Sequence, residues 1–238
     1  MHWSPDSANL AVRLALEEFG LPFEAVRVDR ARGDQRAAAY LALNPQGLIP
    51  VLEDGALVLF ETGAILWHLA ERQQRLGPEG PPFGDAAARA AVLKWLFHLS
   101  NTVHAELRAG FYSERYVDGP QAVAPFRRGL ARRLRGHLDL LEGQLAGGWL
   151  GQAAGPTVGD LYLGALLRWA QLYPAAAPPL AGLADWPGLL ALCRRIEARP
   201  AARRAFAAES IPPDGALSAP RRPELPAAEV TGRVTETE

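Results

Sequence analysis

Two short segments of the chain carry residues that could hold an extended molecule by its backbone and by a carboxylate. The first is Ile49-Pro50, where proline has no N–H to give to a sheet and the weak trans preference before proline permits a cis peptide. A cis peptide would turn the N–H and C=O of Ile49 outward, free to pair with a ligand strand. The second is Glu61-Thr62, where Thr62 is expected to cap a helix whose free N–H groups and positive dipole end favour a carboxylate.

The elements that would position these residues are a β-hairpin and the helix after it. Apolar runs at 49–52 and 57–60 flank an Asp54-Gly55 pair, and β-forming residues around such a pair predict a tight turn. A helical apolar pattern follows the second run. The hairpin would therefore offer a backbone clamp at one end and an anion site at the other, or would simply be an ordinary hairpin that enters a helix.

The order and spacing of these residues carry a resemblance to a known family. Asn44-Pro-Gln-Gly-Leu-Ile-Pro-Val-Leu52, followed by Glu61-Thr-Gly-Ala-Ile65, resembles the glutathione-binding half of the glutathione S-transferase family. Further motifs are similar to the bacterial beta class of that family: Trp95-Leu-Phe-His-Leu-Ser-Asn-Thr-Val-His104, Gly148-Trp-Leu-Gly151, Thr157-Val-Gly-Asp160 and Leu167-Arg-Trp-Ala170. The resemblance covers residues 1–208.

This resemblance implies how glutathione would be bound. The residue before the cis-proline pairs with the cysteinyl backbone of glutathione, and an acidic and a hydroxyl residue hold its γ-glutamyl end. The implied glutathione-binding residues are Leu48, Ile49, Pro50, Glu61 and Thr62. Many relatives carry a polar residue at the position of Leu48.

The same resemblance implies a group at the end of the first strand that stabilises the glutathione thiolate. The cysteine of the beta class falls on Ala8, so this chain cannot form the mixed disulfide that such a cysteine would allow. Hydroxyl or amide donors stand nearby, and we expect Ser7 to be the activating residue, with Asn9 second and Ser4 third. A serine here could instead only cap the helix or form a local turn.

His104 matches a beta-class histidine that points toward the glutathione site, and it completes the candidate site residues. A single histidine on an amphipathic helix could equally be a surface residue. No metal ligands are expected, since the only cysteine of the sequence, Cys193, excludes a cysteine-rich metal site and an intramolecular disulfide.

Composition narrows the class of protein further. The 238 residues are 49% hydrophobic and 21% charged, which suits a protein of one or two domains with a sizeable core. A formal net charge of −1 gives no electrostatic case for nucleic acid or for an anionic membrane. The sequence has neither a transmembrane-length apolar run nor a secretory signal pattern, so a cytoplasmic protein is expected.

The order of elements predicts an α/β domain followed by an all-helical one. Residues 1–76 predict a thioredoxin-like βαβαββα domain, and the Gly- and Pro-rich segment 77–84 a linker. Residues 85–211 show helical periodicity throughout, including a capping box at Thr157 and Asp160. The Pro-rich segment 212–238 has no periodicity, so we expect a disordered or surface-draped tail.

Two hypotheses of function follow. The first is a glutathione transferase that uses glutathione as co-substrate and directs its thiolate at an electrophilic or peroxide substrate, with peroxidase or isomerase activity as variants. Family resemblance implies a homodimer. The second is a non-catalytic module of the same fold, used for protein binding or regulation, which the missing cysteine and Leu48 favour and the intact Glu61-Thr62 pair opposes.

Overall fold

A four-stranded mixed sheet forms the N-terminal part of the chain. The computed structural model describes residues 1–145, 148–150, 155–175 and 177–223. The strands are β1 (His2–Trp3), β2 (Val26–Arg27), β3 (Val51–Asp54) and β4 (Leu57–Phe60), in the order β2-β1-β3-β4. Strand β1 is parallel to β2 and antiparallel to β3, and β3 pairs with β4 as the expected hairpin.

The strand directions bring three chain segments to one edge of this sheet. His2 pairs with Val51 and Val51 pairs with Phe60, so β1 ends where β3 begins and where β4 ends. Gly55 has a φ of 62° and supplies the left-handed backbone that the two-residue turn at the opposite edge requires. The loop after β1, the Ile49-Pro50 peptide and Glu61 therefore share the edge away from this turn.

Helices cover the sheet and build the second half of the chain. The N-terminal part contains α1 (Asn9–Glu18), α2 (Ala38–Leu43) and α3 (Thr62–Arg72), with a 3-10 turn at Asp34–Arg36. The helical part contains α4 (Ala86–His98), α5 (Ala105–Phe111), α6 (Pro120–Gln144), α7 (Val158–Leu172), α8 (Pro187–Glu197) and α9 (Pro200–Ala208), with a 3-10 turn at Ser113–Arg115. A π-helical turn, Leu99–His104, joins α4 to α5. This architecture confirms the expected thioredoxin-like sheet followed by a helical half.

One core runs through both halves of the molecule. Helix α1 packs against α3 on its own side and against α7 and α9 of the helical half, which explains why Leu10 to Leu16 are all buried. Helix α7 is buried from Val158 to Ala170 and forms the centre of the helical half. Its start is the expected capping box: Asp160 Oδ2 accepts from the amide (2.8 Å) and from the hydroxyl (2.7 Å) of Thr157.

The described part of the expected tail, residues 212–223, is packed on the protein and is not disordered. Ala216 and Leu217 are buried, and the carboxylate of Glu197 accepts from the amides of Leu217 and Ser218. The stretch 212–223 thus lies packed on the helical half, while the remainder of the expected tail, 224–238, lies outside the described residues. Among the described helices, none is long and apolar enough to cross a membrane.

Candidate functional site

The Ile49-Pro50 peptide is cis, as the sequence led us to expect, and the loop before it is held from behind. The carbonyl of Leu48 accepts hydrogen bonds from the hydroxyl of Tyr40 and from the side-chain amide of Asn44, both at 2.8 Å. In the part of the chain that the structure describes, no backbone hydrogen bond engages the N–H or C=O of Ile49. These two groups are thus available to an extended ligand, and the contacts of Tyr40 were not foreseen from the sequence.

The tip of α3 carries an acidic side chain on a strained backbone. Glu61 is exposed and has a φ of 73°, a conformation that costs a non-glycine residue of order 1–3 kcal/mol. The first helical hydrogen bond runs from the amide of Ile65 to the carbonyl of Glu61 (3.0 Å), so the amides of residues 62–64 precede the hydrogen-bonded part of the helix. Gln46, which sequence reasoning missed, reaches Glu61 with its amide nitrogen at 3.4 Å from Oε1.

One detail of the expected tip is wrong. Thr62 is the first residue of α3 and is buried, and the capping position belongs to Glu61, with no side-chain capping hydrogen bond. The left-handed backbone of Glu61 turns the chain into the helix, so Thr62 is already helical and its hydroxyl is not in the capping geometry. The free amides that favour an anion nevertheless remain at this tip.

The loop after β1 brings the three candidate activating residues together. The amide oxygen of Asn9 accepts from the Ser7 hydroxyl at 2.5 Å and from the Ser4 backbone N–H at 3.0 Å. Ser7 is half-buried, whereas Ser4 and Asn9 are 5% and 0% exposed. Of the three, only Ser7 presents its side chain where a bound molecule could reach it, and the placement argues against direct contact by Asn9 or Ser4.

Asp6, immediately before Ser7, is fixed by four donors from the helical half. The guanidinium of Arg168 donates to both carboxylate oxygens at 2.8 Å, in a fully buried ion pair. Trp169 Nε1 (3.1 Å) and the Tyr173 hydroxyl (2.7 Å) donate to the same carboxylate. Asp6 has a φ of 48°, so this cluster also holds a left-handed turn directly beside Ser7.

Glu209, just after α9, holds the other side of the same loop. Its carboxylate accepts from the Asp6 amide (3.0 Å), from Asn9 Nδ2 (2.6 Å) and from Arg13 Nε (3.0 Å). Burial raises the pKa of Glu209, and the charge of Arg13 opposes that rise. Because all three partners are N–H donors, the arrangement is satisfied by the ionised carboxylate. No sequence signal links positions that lie about 200 residues apart.

His104 ends the π-helical turn and faces this cluster. Its Nδ1 lies 2.7 Å from the Tyr162 hydroxyl, and its ring packs against Trp169 at 5.6 Å between centroids. Burial, together with the nearby charge of Arg108, lowers the pKa of His104 to about 4, so the ring is neutral at neutral pH. Trp169 also donates to Asp6, which places His104 one aromatic ring away from the Ser7 loop.

Other reactive groups do not add to this site. Cys193 is fully buried, and burial raises the pKa of its thiol, which removes it as a nucleophile. The described residues contain no group of three or more His, Cys, Asp or Glu side chains that could hold a metal ion. Two open clefts, of about 370 and 300 Å³, lie beside α6 and beside the opposite end of the sheet and include none of the residues above. The candidate groove therefore lies outside these two clefts, between the Ile49-Pro50 peptide, the tip of α3 and the Ser7 loop.

Comparisons with known proteins agree with this arrangement. The family model described as the N-terminal domain of glutathione S-transferase matches residues 9–72. Glutathione S-transferase 3 of Zea mays is 34% identical over 226 residues, which are 92% of this chain and 98% of that protein.

Solved structures show the same relationship. A sphingomonad glutathione S-transferase complexed with glutathione is 29% identical with a TM-score of 0.71, and a beta-class enzyme of Sphingomonas chungbukensis is 26% identical with a TM-score of 0.70. Each match covers 87% of this chain and 97% of the other. The resemblance found in the sequence is thereby confirmed, and the comparisons support a glutathione transferase function. The chain belongs to the glutathione S-transferase family.

Proposed function

We propose that the chain is a glutathione transferase that binds glutathione along the sheet edge and activates its thiol with Ser7. The observation that carries the proposal is the tip of α3, where an exposed carboxylate on a strained backbone stands beside free helix amides. Strained residues that the surrounding structure maintains cluster at ligand-binding sites. A zwitterionic γ-glutamyl group matches this tip, since it carries one charge of each sign.

The binding mode follows from the groups available at the edge. The α-amino group of glutathione would pair with the Glu61 carboxylate. Its α-carboxylate would accept hydrogen bonds from the backbone amides of residues 62–64 and from the Thr62 hydroxyl. The cysteinyl backbone would pair with the free N–H and C=O of Ile49, just before β3 begins, as two extended strands do. This places the cysteinyl sulfur toward the end of β1, where Ser7 begins the turn into α1.

Thiol activation requires only a modest stabilisation of the anion. A free thiol has a pKa of about 8.5, and lowering it by two units corresponds to about 2.7 kcal/mol. The Ser7 hydroxyl would turn from Asn9 to donate to the sulfur. The first hydrogen bond of α1 runs from the amide of Leu10 to the carbonyl of Ser7, and the amides before it add the positive end of the helix dipole. The thiol proton leaves to solvent, and the thiolate lone pair forms the new bond to an electrophilic carbon or a peroxide oxygen as the leaving group departs.

His104 is proposed to line the sulfur side of this groove as a neutral ring. Burial lowers the pKa of His104 to about 4, which supports a neutral ring at neutral pH, and its hydrogen bond to Tyr162 holds the ring in place. The acceptor pocket would lie on the same side, toward the helical half.

Assembly and location belong to the same proposal. A cytoplasmic homodimer is proposed, and the dimer is supported by membership of the glutathione S-transferase family. Light scattering should give twice the mass of the chain, and a monomer mass would remove the dimer from the proposal.

Calorimetry and a single substitution test the function itself. Glutathione should bind with micromolar to millimolar affinity and be displaced by S-alkyl glutathiones. Ser7→Ala should lower turnover of an aryl halide by about 10²-fold, the lower end of the effect of removing one anion-stabilising donor, and leave glutathione affinity nearly unchanged. Ser7→Thr, which keeps the hydroxyl, is the matched control and should retain most of the activity.

Two outcomes would contradict the proposal in different ways. Absence of binding heat and of displacement would favour the non-catalytic binding module. Normal binding with an unaffected rate in Ser7→Ala would remove Ser7 as the activating residue.

A further inference from the structure

We propose that Glu209 is a positioning residue for thiol activation: its buried carboxylate orients the Asn9 amide, and Asn9 in turn aims the Ser7 hydroxyl. This inference rests on the proposed function of Ser7. It assigns a role in the active-site loop to a residue just after α9, far in sequence from the glutathione-binding motifs.

The first step is the direction in which Glu209 acts. Its three hydrogen-bond partners, the Asp6 amide, Asn9 Nδ2 and Arg13 Nε, all belong to the N-terminal part of the chain. The Glu209 side chain is fully buried, as is nearly all of the Arg13 side chain. Arg13 is further held by its stacking over Trp3 at 4.7 Å. Glu209 therefore contributes its charged hydrogen bonds to the loop and to α1.

The second step is the orientation of the Asn9 amide. An asparagine side chain has one accepting and one donating end, and rotation by 180° exchanges them. Glu209 accepts from Nδ2 at 2.6 Å, so the oxygen must face the opposite way, toward the Ser4 amide and the Ser7 hydroxyl. In the reversed orientation, two oxygens would face each other at Glu209 and an NH2 group would face the Ser4 N–H.

The third step leads to Ser7. A hydroxyl has a single proton, and the acceptor it faces decides where that proton points. With Asn9 Oδ1 in place, Ser7 donates to it and the Ser7 oxygen is held at the mouth of the groove; with an NH2 group there, this hydrogen bond from Ser7 could not form. Fixing Asn9 thus holds the Ser7 oxygen in one position, from which rotation of the O–H bond lets the hydroxyl donate a hydrogen bond to the thiolate while keeping its proton.

The test is Glu209→Gln, which keeps the shape of the side chain. The glutamine NH2 must face either the Asp6 amide or the Asn9–Arg13 side, and in both rotamers Asn9 Nδ2 loses its carboxylate acceptor and keeps at most a neutral amide oxygen. We expect the pKa of enzyme-bound glutathione, followed by thiolate absorbance against pH, to rise by about one unit, which is about tenfold in thiolate at neutral pH. The Kd for glutathione should stay within about twofold, since Ile49 and Glu61 are untouched.

Glu197→Gln is the matched control. Glu197 is also a buried glutamate that accepts hydrogen bonds, but its partners Leu217 and Ser218 lie in the helical half. Both variants should lose thermal stability, and only Glu209→Gln should move the thiol pKa. An equal shift in both variants, or none in Glu209→Gln, would overturn the proposal.

A second substitution tests the route through Asn9. Asn9→Ala should raise the bound-thiol pKa by itself, and adding Glu209→Gln to it should raise it no further, since the connection is already broken. Additive shifts would overturn the route. If Glu209→Gln does not fold, Asn9→Ala alone decides: an unchanged thiol pKa overturns the proposal. A wild-type protein that binds no glutathione, or that leaves the thiol pKa at its free value, fails the proposed function instead.

Discussion

The buried ion pair between Asp6 and Arg168 gives the sharpest prediction about stability. Arg168→Met removes the guanidinium while keeping much of the apolar volume of the side chain. It leaves the Asp6 carboxylate fully buried with Trp169 and Tyr173 as its remaining donors. It also removes the donor to the carbonyl of Ala216, which anchors the packed tail.

The magnitude follows from the burial of the pair. Arg168 and Asp6 side chains are 0% and 1% exposed, so water cannot replace the lost partner. Breaking such a pair by removing one member destabilises a protein by about 3–5 kcal/mol. Since folded domains are stable by about 5–15 kcal/mol, this is a large fraction of the total. Removing both charges at once should be milder, because no unpaired charge stays buried.

Urea unfolding of three variants separates these effects. Arg168→Met should lose about 3–5 kcal/mol, and Asp6→Asn with Arg168→Met should recover at least half of that loss, since asparagine tolerates the left-handed backbone. Arg203→Met, which breaks the exposed pair with Asp214, should lose less than about 1 kcal/mol. A loss in Arg168→Met no larger than in Arg203→Met, or a double variant no more stable than the single one, would refute the reasoning.

Two further predictions concern buried polar groups. The native pKa of His104, about 4, lies below its unfolded value of 6.5, so the unfolded chain binds the extra proton and the protein should lose up to about 3 kcal/mol as the pH falls from 6.5 toward 4. His104→Gln has no histidine to protonate here, so its stability deficit relative to wild type in thermal unfolding should be smaller at pH 5 than at pH 7. An equal deficit at the two pH values would contradict the lowered pKa of His104. Asp160→Ala should destabilise by about 2–4 kcal/mol in urea unfolding, because it leaves the buried amides of Leu150 and Thr157 without their acceptor. A loss below about 1 kcal/mol would show that water replaces that carboxylate.

The local elements of the fold were predictable because their signals are local. The hairpin, its Asp-Gly turn and the capping box all depend on neighbours within a few residues, and each appears where the sequence places it. Helix ends are less well defined by local signals: apolar periodicity predicts a helix at 121–145, and α6 spans Pro120–Gln144, a difference of one residue at each end. Alternating apolar and polar residues at 23–29 predict a longer strand than the observed β2, Val26–Arg27, since β1 offers just two residues as partners.

The interior of the candidate site was not predictable, and the reason is sequence separation. Asp6 meets Arg168 across 162 positions, and Asn9 meets Glu209 across 200. Hydrophobic periodicity reports which face of a helix is buried and cannot say which buried polar groups pair across two domains. The family resemblance pointed to Ser7, Ile49 and Glu61, and it contained no information on the residues that hold them from behind.

The π-helical turn at Leu99–His104 has a consequence for how this chain tolerates insertions and deletions. Each residue of an α-helix advances about 100° around the axis, so one residue more or less rotates everything beyond it by that angle. Removing one residue from this turn would leave a longer, regular α-helix. The rotation would then move His104 away from Tyr162, or, if His104 stayed in place, move Leu107 out of the core. A one-residue deletion inside this helix would therefore alter the groove as a substitution of His104 does, although it changes no loop.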